Sequence, residues 1–579
     1  VQIQKLPVTT NGKLDKKALP PITMDRVNTY TAPSTREEKV LVKVLQEVLN
    51  HTKIGIYDNF FELGGDSIKA IRAVSKLREL GYETSIKNIM KYRDVETIAT
   101  NLQTEQLIKI EQEQLVGIIS MLPIQLEFFE NHFKEEHHYN QAMLLKAKER
   151  MNPDYITKVM NVILHKHDML RAVFLNHKQI ILDSRNTIFG LEQVELRQYD
   201  NSWFEMQSRN QLIQKQFNLE EGPLVKSCLY HCKDGDYLFI CIHHLIVDGV
   251  SWRIILEDIE TAYKQCIENT DIILPKKTSS YKKWIETLQK YAKKDSVIGE
   301  FPYWKGICEE AIECNLSIHL DEKEYNRQAK STWERTKKIS IIQIEEALTK
   351  ALLFDANKAY ATRINDLLLT SLGRAVNGWI NQSKICVELE SHGREDLDKN
   401  VVLDRTVGWF TNTYPIILHS EGTIENQIIV TKEMFRKVKA NGIGYGILNY
   451  FGESKLPKVK PEICFNYLGV NDLDRSNGIF ELVEYTNQGD ISDKNHLENS
   501  LSINAFVVNS IMNIEIMYDS TKYPEEEINK FCNAYKLALK EVVTYCLSQG
   551  ESAKTLSDFG ILDMEDSEVN AFIDFLEVL

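Results

Sequence analysis

Apolar residues recur at helical spacing in four short stretches of the first hundred positions, and then at two alternating periods through the rest of the chain. Leu41, Leu45, Val48 and Leu49 make one apolar face behind Ser34 and Glu37, a Ser-x-x-Glu capping box that opens a first helix. Ile68, Ile71, Val74 and Leu77 define a second helix starting at Ser67; a shorter one lies around Ile86–Met90; Asp94 caps a fourth that carries Val95, Ile98 and Leu102. A Gln- and Glu-rich stretch over 104–116 reads as a linker. From there to about residue 560, strand-length apolar runs alternate with helical periods without a fixed repeat, which predicts α/β layers. The run Tyr237–Ile242 is nearly unbroken, as in a buried strand, while Trp252, Ile255, Ile259 and Tyr263 keep helical spacing. His243, His244 and Asp248 therefore fall in a strand-to-helix turn, where sites collect in α/β folds. At the two ends, Asn11-Gly12 signals a hairpin within residues 1–20, and residues 561–579 carry Val569, Phe572, Ile573, Leu576 and Leu579 on one face of an acidic helix.

Composition narrows the class. With 579 residues, 43% of them hydrophobic, the chain can bury several cores. A net charge of −14 without a basic stripe argues against nucleic acid as a partner. No apolar run reaches the roughly 20 residues of a membrane span, so no membrane association is expected. Ten cysteines without a CxxC pair, and no basic-then-apolar leader, indicate a cytoplasmic protein with free thiols. A start at Val1 suggests a piece of a longer chain. His243, His244 and Asp248 lack zinc-motif spacing, so no metal is expected.

Two segments carry candidate chemistry. In Leu63-Gly64-Gly65-Asp66-Ser67 the glycines permit a sharp turn, and Ser67 then stands at a helix N-terminus, where free N–H groups and the helix dipole favour a phosphodiester. By the residues alone, the favoured reading is that Asp66 or Ser67 merely caps the helix. At the other segment, a histidine near a strand end is either a satisfied core residue or a proton carrier suited to neutral pH.

Longer motifs tie both segments to a known family. Asp58-Asn59-Phe60-Phe61-Glu62-Leu63-Gly64-Gly65-Asp66-Ser67 resembles the attachment motif of peptidyl carrier proteins of nonribosomal peptide synthetases, which implies 4′-phosphopantetheine on Ser67. His243-His244-Leu245-Ile246-Val247-Asp248-Gly249-Val250-Ser251-Trp252 resembles the HHxxxDG signature of the condensation superfamily, in the form of its epimerization branch. Pro123-Ile124-Gln125, His167-Asp168-Met169-Leu170-Arg171, Arg405-Thr406-Val407-Gly408-Trp409-Phe410, Gly442-Ile443-Gly444-Tyr445-Gly446 and Phe465-Asn466-Tyr467-Leu468-Gly469 resemble further motifs of that branch in order and spacing. Glu390-Ser391-His392-Gly393-Arg394-Glu395 resembles EGHGRE, with Ser391 in place of glycine. Leu6–Asp15, with Lys13, resembles the final motif of adenylation domains.

The resemblance implies a multidomain chain. Residues 1–25 would be an adenylation remnant, 30–103 an all-α four-helix carrier bundle, 104–116 the linker, and 117–560 an epimerization domain of two chloramphenicol-acetyltransferase-like α/β lobes. Residues 561–579 would then be a docking helix for a downstream synthetase subunit; packing on its own domain is the alternative. The implied partners also include an upstream adenylation domain in cis and a phosphopantetheinyl transferase. Racemising an α-carbon needs one group to take the proton from one face and another to return it on the other, and the resemblance gives these parts to His244 and Glu390. Asn466 and Tyr467 would hold the substrate or the enolate oxygen, Tyr467 being equally a structural residue. His243, Asp248 and Arg394 would support the site, with Arg394 or Arg405 pairing to Asp248. A condensation domain forming peptide bonds, or a non-catalytic platform, are the rival readings.

Overall fold

The computed structural model describes residues 30–92, 94–104, 110–187, 189–314, 316, 337–470, 478–483, 489–549 and 555–559. The expected hairpin with Lys13 and the acidic tail lie outside these residues.

Four helices form the first unit: Arg36–Leu49, Ser67–Glu79, Ile86–Tyr92 and Val95–Thr100. The first begins one residue later than the sequence pattern suggests. Thr35, not Ser34, is the cap: its hydroxyl accepts from Glu38 N at 3.1 Å, while the Glu38 carboxylate accepts from Ser34 N at 2.6 Å and Thr35 N at 3.0 Å. Both Ser34-x-x-Glu37 and Thr35-x-x-Glu38 fit the pattern, and Glu38 prevails because it satisfies two orphan N–H groups at once. Leu41, Leu45, Val74, Leu77, Ile89 and Ile98 fill the core; each fully buried leucine contributes about 1.5–3 kcal/mol of transfer free energy. Thr104 belongs to this unit rather than to a linker, since Gln103–Thr104 pairs antiparallel with Tyr82–Glu83. Further on, Gln112 exchanges hydrogen bonds with the Lys277 backbone, so the end of the linker is fixed to the larger unit.

That larger unit holds two main sheets. One runs in the order Phe480–Leu482, Asn140–Ala147, Gly235–His243, Val225–Cys232, Leu191–Glu195. Gly235–His243 lies in its middle and is buried along nearly its whole length, as the unbroken apolar run requires. The other sheet has six strands, in the order Lys337–Ile344, Ile511–Asp519, Leu501–Val508, Ile463–Val470, Lys384–Ser391, Asn412–His419. Helices Ile364–Ile380 and Glu525–Ser548 pack on each other and on this sheet. The lobes are not sequential blocks. Phe480–Leu482 leaves the second lobe to pair with Leu145–Ala147 in the first, and Ile491 bridges to Tyr139. One continuous buried apolar core runs through both lobes. Among the described residues no helix is long and apolar enough to cross a membrane, and the ten cysteines are free thiols, nine of them buried.

Candidate active site

The first half of the site grows out of the end of the Gly235–His243 strand. His243 is fully buried, its Nε2 2.9 Å from the Glu136 carbonyl, and burial pulls its pKa down to about 3. It is a structural residue that leaves His244 at the turn. His244 Nδ1 lies 2.9 Å from the Val247 carbonyl, an acceptor, so this nitrogen carries the proton and Nε2 presents a lone pair. Trp409 lies against the ring, 4.4 Å between centroids, with Tyr139 at 5.8 Å. Burial holds His244 below the usual histidine range, in the neutral form that a base needs.

Asp248 caps the next helix, Gly249–Ile267, by accepting from Ser251 N at 2.8 Å. Arg394 comes from the other lobe to grip the same carboxylate at 2.7 and 3.0 Å, and Phe410 N adds a bond at 3.0 Å. This bidentate pair is the one of the two sequence alternatives that forms. Arg405 instead binds Asp258 at 2.5 Å and Glu257 at 3.2 Å. Ser251 Oγ bonds Gly408 O at 2.9 Å and accepts from Gly408 N at 3.0 Å, which joins the first lobe to the Arg405–Phe410 loop. Gly393 has φ +63°, and a Cβ there would sit 1.7 Å from the Phe410 carbonyl, so only glycine allows the loop to pass. Ser391 fits without distortion, its hydroxyl donating to the Asn441 carbonyl at 3.0 Å.

Glu390 stands at the end of Lys384–Ser391, one step past the pairing of Leu389 with Phe465, so the parallel register sets it beside Asn466. Asn466 Nδ2 donates to Glu390 Oε2 at 2.7 Å; its amide is spent on this carboxylate. Glu390 is itself exposed at the strand end, yet the protein packed around it and, second, the Glu498 carboxylate push it up to about 7. Glu498 accepts from the Tyr139 hydroxyl at 2.7 Å, Glu127 from Thr413 at 3.1 Å, and Glu388 from Asn499 at 2.9 Å; burial raises all three. Tyr139 thus spans the two halves: its backbone carbonyl accepts from His244 N at 2.8 Å and its ring ends on Glu498. Tyr467, half-buried, follows Asn466 on the same strand. Sequence patterns missed Tyr139, Gln141, Glu127, Glu388 and Glu498, which stand in no shared motif. Among the described residues no three His, Cys, Asp or Glu side chains gather as metal ligands.

Ser67 opens the 13-residue helix Ser67–Glu79, with Asp66 as its cap on Lys69 N at 2.7 Å. Gly64 takes φ +81°, and a Cβ on Gly65 would strike Phe60 at 2.4 Å, so both glycines are required where the turn exposes the serine. The half-buried Ser67 hydroxyl at this N-terminus fits a phosphodiester. The helix lies against the larger unit. Arg72 faces Glu257 at 3.4 Å, Arg78 meets Asp404 at 2.5 Å, and Glu79 lies 3.7 Å from Arg405. Asp66 approaches Gly469 so closely that a Cβ there would sit 2.7 Å from its carboxylate. Gly469, at φ +79°, lies at a register shift on the strand that carries Asn466 and Tyr467. The serine is thereby brought to the end of the strand that lines the site.

A helical bundle with a serine at a helix mouth, docked on two α/β lobes joined by an HHxxxDG turn, defines a carrier followed by a condensation-type domain. The comparisons agree: residues 116–564 match the condensation domain and residues 39–102 the phosphopantetheine attachment site. The chain belongs to the condensation-domain family, and its attachment domain takes 4′-phosphopantetheine on a serine. It is 35% identical to gramicidin S synthase 1 of Brevibacillus brevis over 100% of its own length and 54% of that protein, and 36% identical to bacitracin synthase 2 of Bacillus licheniformis over 98% of its length and 22% of that protein. The chain thus spans about half, or less, of the curated relatives it matches. Among solved structures, the epimerization domain from the third module of tyrocidine synthetase B is 33% identical, with TM-score 0.68, over 76% of this chain and 100% of that one. The first condensation domain of the CDA synthetase, at 12% identity and TM-score 0.57 over 75% and 97%, shares the fold. The chain is a nonribosomal peptide synthetase segment of carrier plus condensation-type α/β domain.

Proposed function

We propose that the larger unit epimerizes the α-carbon of an aminoacyl or peptidyl thioester carried on Ser67, converting L to D. The observation that carries this reading is His244, whose Nδ1 faces the Val247 carbonyl, leaving Nε2 as the acceptor, together with a Glu390 carboxyl that is held by Asn466 and pushed up to about 7. Attached to Ser67, the phosphopantetheine thioester makes the α-proton more acidic, because no anionic oxygen opposes the developing charge. His244 Nε2 takes that proton from one face and the Glu390 carboxyl returns one to the other, leaving imidazolium and carboxylate that reset by proton exchange. Asn466 holds the Glu390 carboxyl, Tyr467 borders it, and Asp248 with Arg394 fixes the His244 turn across the lobes. Peptide-bond formation needs no such second proton carrier.

On the same reading the partners are a phosphopantetheinyl transferase, an adenylation domain preceding the carrier, and a downstream subunit met by the acidic tail. The test is chiral analysis of the acid released from a carrier loaded with an L-aminoacyl-pantetheine. A D/L mixture supports epimerization. Unchanged L with a new peptide selects condensation, and unchanged L alone selects a binding platform.

A further inference from the structure

Gln141 is half-buried on the Asn140–Ala147 strand, where antiparallel pairing with Ile242 sets it beside the emerging His244. Its Nε2 lies 2.9 Å from His244 Nε2, and its Oε1 lies 2.8 Å from Trp252 Nε1. Indole N–H only donates, so Trp252 dictates which end of the amide faces which way: the oxygen toward the indole, the NH₂ toward the imidazole. Trp252 is itself only 2% exposed and sits on the first turn of the Gly249–Ile267 helix, so the indole that orients the amide is fixed in place. With His244 Nδ1 donating to the Val247 carbonyl, every polar atom in the chain Trp252–Gln141–His244–Val247 has one consistent role. Protonating Nε2 would set two donors face to face at 2.9 Å.

We propose that Gln141, clamped by Trp252, is a positioning residue that keeps His244 neutral with its lone pair on Nε2 in the resting protein, and that withdraws when the substrate's Cα–H takes its place. This rests on His244 being the base proposed above. It assigns the Trp of the Val-Ser-Trp signature a physical task, that of fixing an amide orientation. The charged and titratable groups facing His244 do not replace that task. Asp248, on the following turn, is neutralised by Arg394; Tyr139 donates its hydroxyl to Glu498; His243 points away to the Glu136 carbonyl. Burial of the imidazole acts in the same direction as the clamp.

The test reads the ring itself, on the full chain with its carrier unmodified. Histidine is labelled with ¹⁵N, the ring signals are followed through a pH titration, and His244 is assigned by the loss of one set in His244→Ala. The proposal expects a neutral ring with the proton on Nδ1 at and below neutral pH. Gln141→Glu, isosteric but an acceptor toward both neighbours, should convert His244 to imidazolium at neutral pH and abolish α-proton exchange from the His244 face. Trp252→Phe frees the amide to turn and should move the titration of His244 upward in pH, with exchange slowed by no more than about tenfold, the worth of one hydrogen bond. If Gln141→Glu leaves His244 neutral at neutral pH, the proposal is overturned, whether or not the Trp252 variant folds. Because the ring signals need no substrate, loss of the epimerase reading would appear separately, as unchanged chirality with the ring behaviour intact.

Discussion

The two halves of the candidate site are drawn toward neutrality from opposite sides. In the first lobe the half-buried His244 stands against Trp409 and Tyr139, with both ring nitrogens engaged, and loses affinity for its proton. In the second lobe the exposed Glu390 stands beside the Glu498 carboxylate, and the surrounding protein and that charge raise its affinity for its proton. One physical cause, loss of water to the protein packed around each group, disfavours both charged forms, and the sign of the shift follows from the sign of the charge. The contrast teaches that a symmetric task, taking and returning one proton, needs no symmetric site. On the proposed reading, the histidine side is prepared to take a proton and the carboxylate side to return one.

The largest effect should come from removing either wall. His244→Ala and Glu390→Gln are each expected to lower net L-to-D conversion by about 10²–10⁴-fold, the usual worth of a placed proton carrier, measured by chiral chromatography of hydrolysed product. A variant that kept full activity in both directions would remove its residue from the pair.

Next comes the tie between the walls. Arg394→Met leaves the 3%-exposed Asp248 carboxylate without its cation, and breaking such a pair costs about 3–5 kcal/mol. Chemical denaturation should show that loss, together with loss of epimerization. If stability is unaffected, the lobes are held by other means.

Much of this arrangement is readable along the chain, and the unreadable part has a topological cause. The buried strand before His244, the helix after it, and the Gly-Gly-Asp-Ser turn are local patterns, each set by apolar period or by a required backbone angle. The misplaced cap at Ser34 arose because two adjacent hydroxyls satisfy one motif, and only the reach of Glu38 decides between them. By contrast, Glu498 reaches Tyr139 because the chain crosses back between lobes after Phe480–Leu482, and Asn466 meets Glu390 through a parallel pairing of distant strands. No local period marks such partners. Gln141 was hidden for a further reason: on an alternating strand one polar residue is the expected outward position, and only the register with Ile242 turns it toward a histidine.

A smaller effect is expected at the carrier face, which delivers substrate to both walls alike. Arg78→Glu sets two negative charges together at Asp404 and should slow epimerization in cis by roughly 5- to 30-fold, the equivalent of one or two kcal/mol. Adding Asp404→Arg should restore the rate if the pairing is direct. Failure of the double variant to recover would mean the carrier docks otherwise during turnover.

The smallest effect separates the carboxylate wall from the histidine wall by pH. Burial raises Glu388 in the folded chain above its ordinary value of 4.5. Its contribution to stability is therefore full below that ordinary value and is lost as pH rises through the raised folded one. Thermal unfolding should occur at lower temperature on going from about pH 6 to about pH 9, and Glu388→Gln should flatten that decline. An unchanged slope would show that Glu388 keeps its charge in the folded protein.

The two-walled account is tested most directly by enantiomer-resolved exchange of the α-proton with deuterated solvent, on carriers loaded separately with the L- or D-aminoacyl thioester. In Glu390→Gln, His244 can still remove and return the proton on its own face, and in His244→Ala, Glu390 can do so on the other. The account predicts that each variant exchanges only one enantiomer, and that the two variants choose opposite ones. Exchange of both enantiomers, or loss of both, in the same single variant would contradict it.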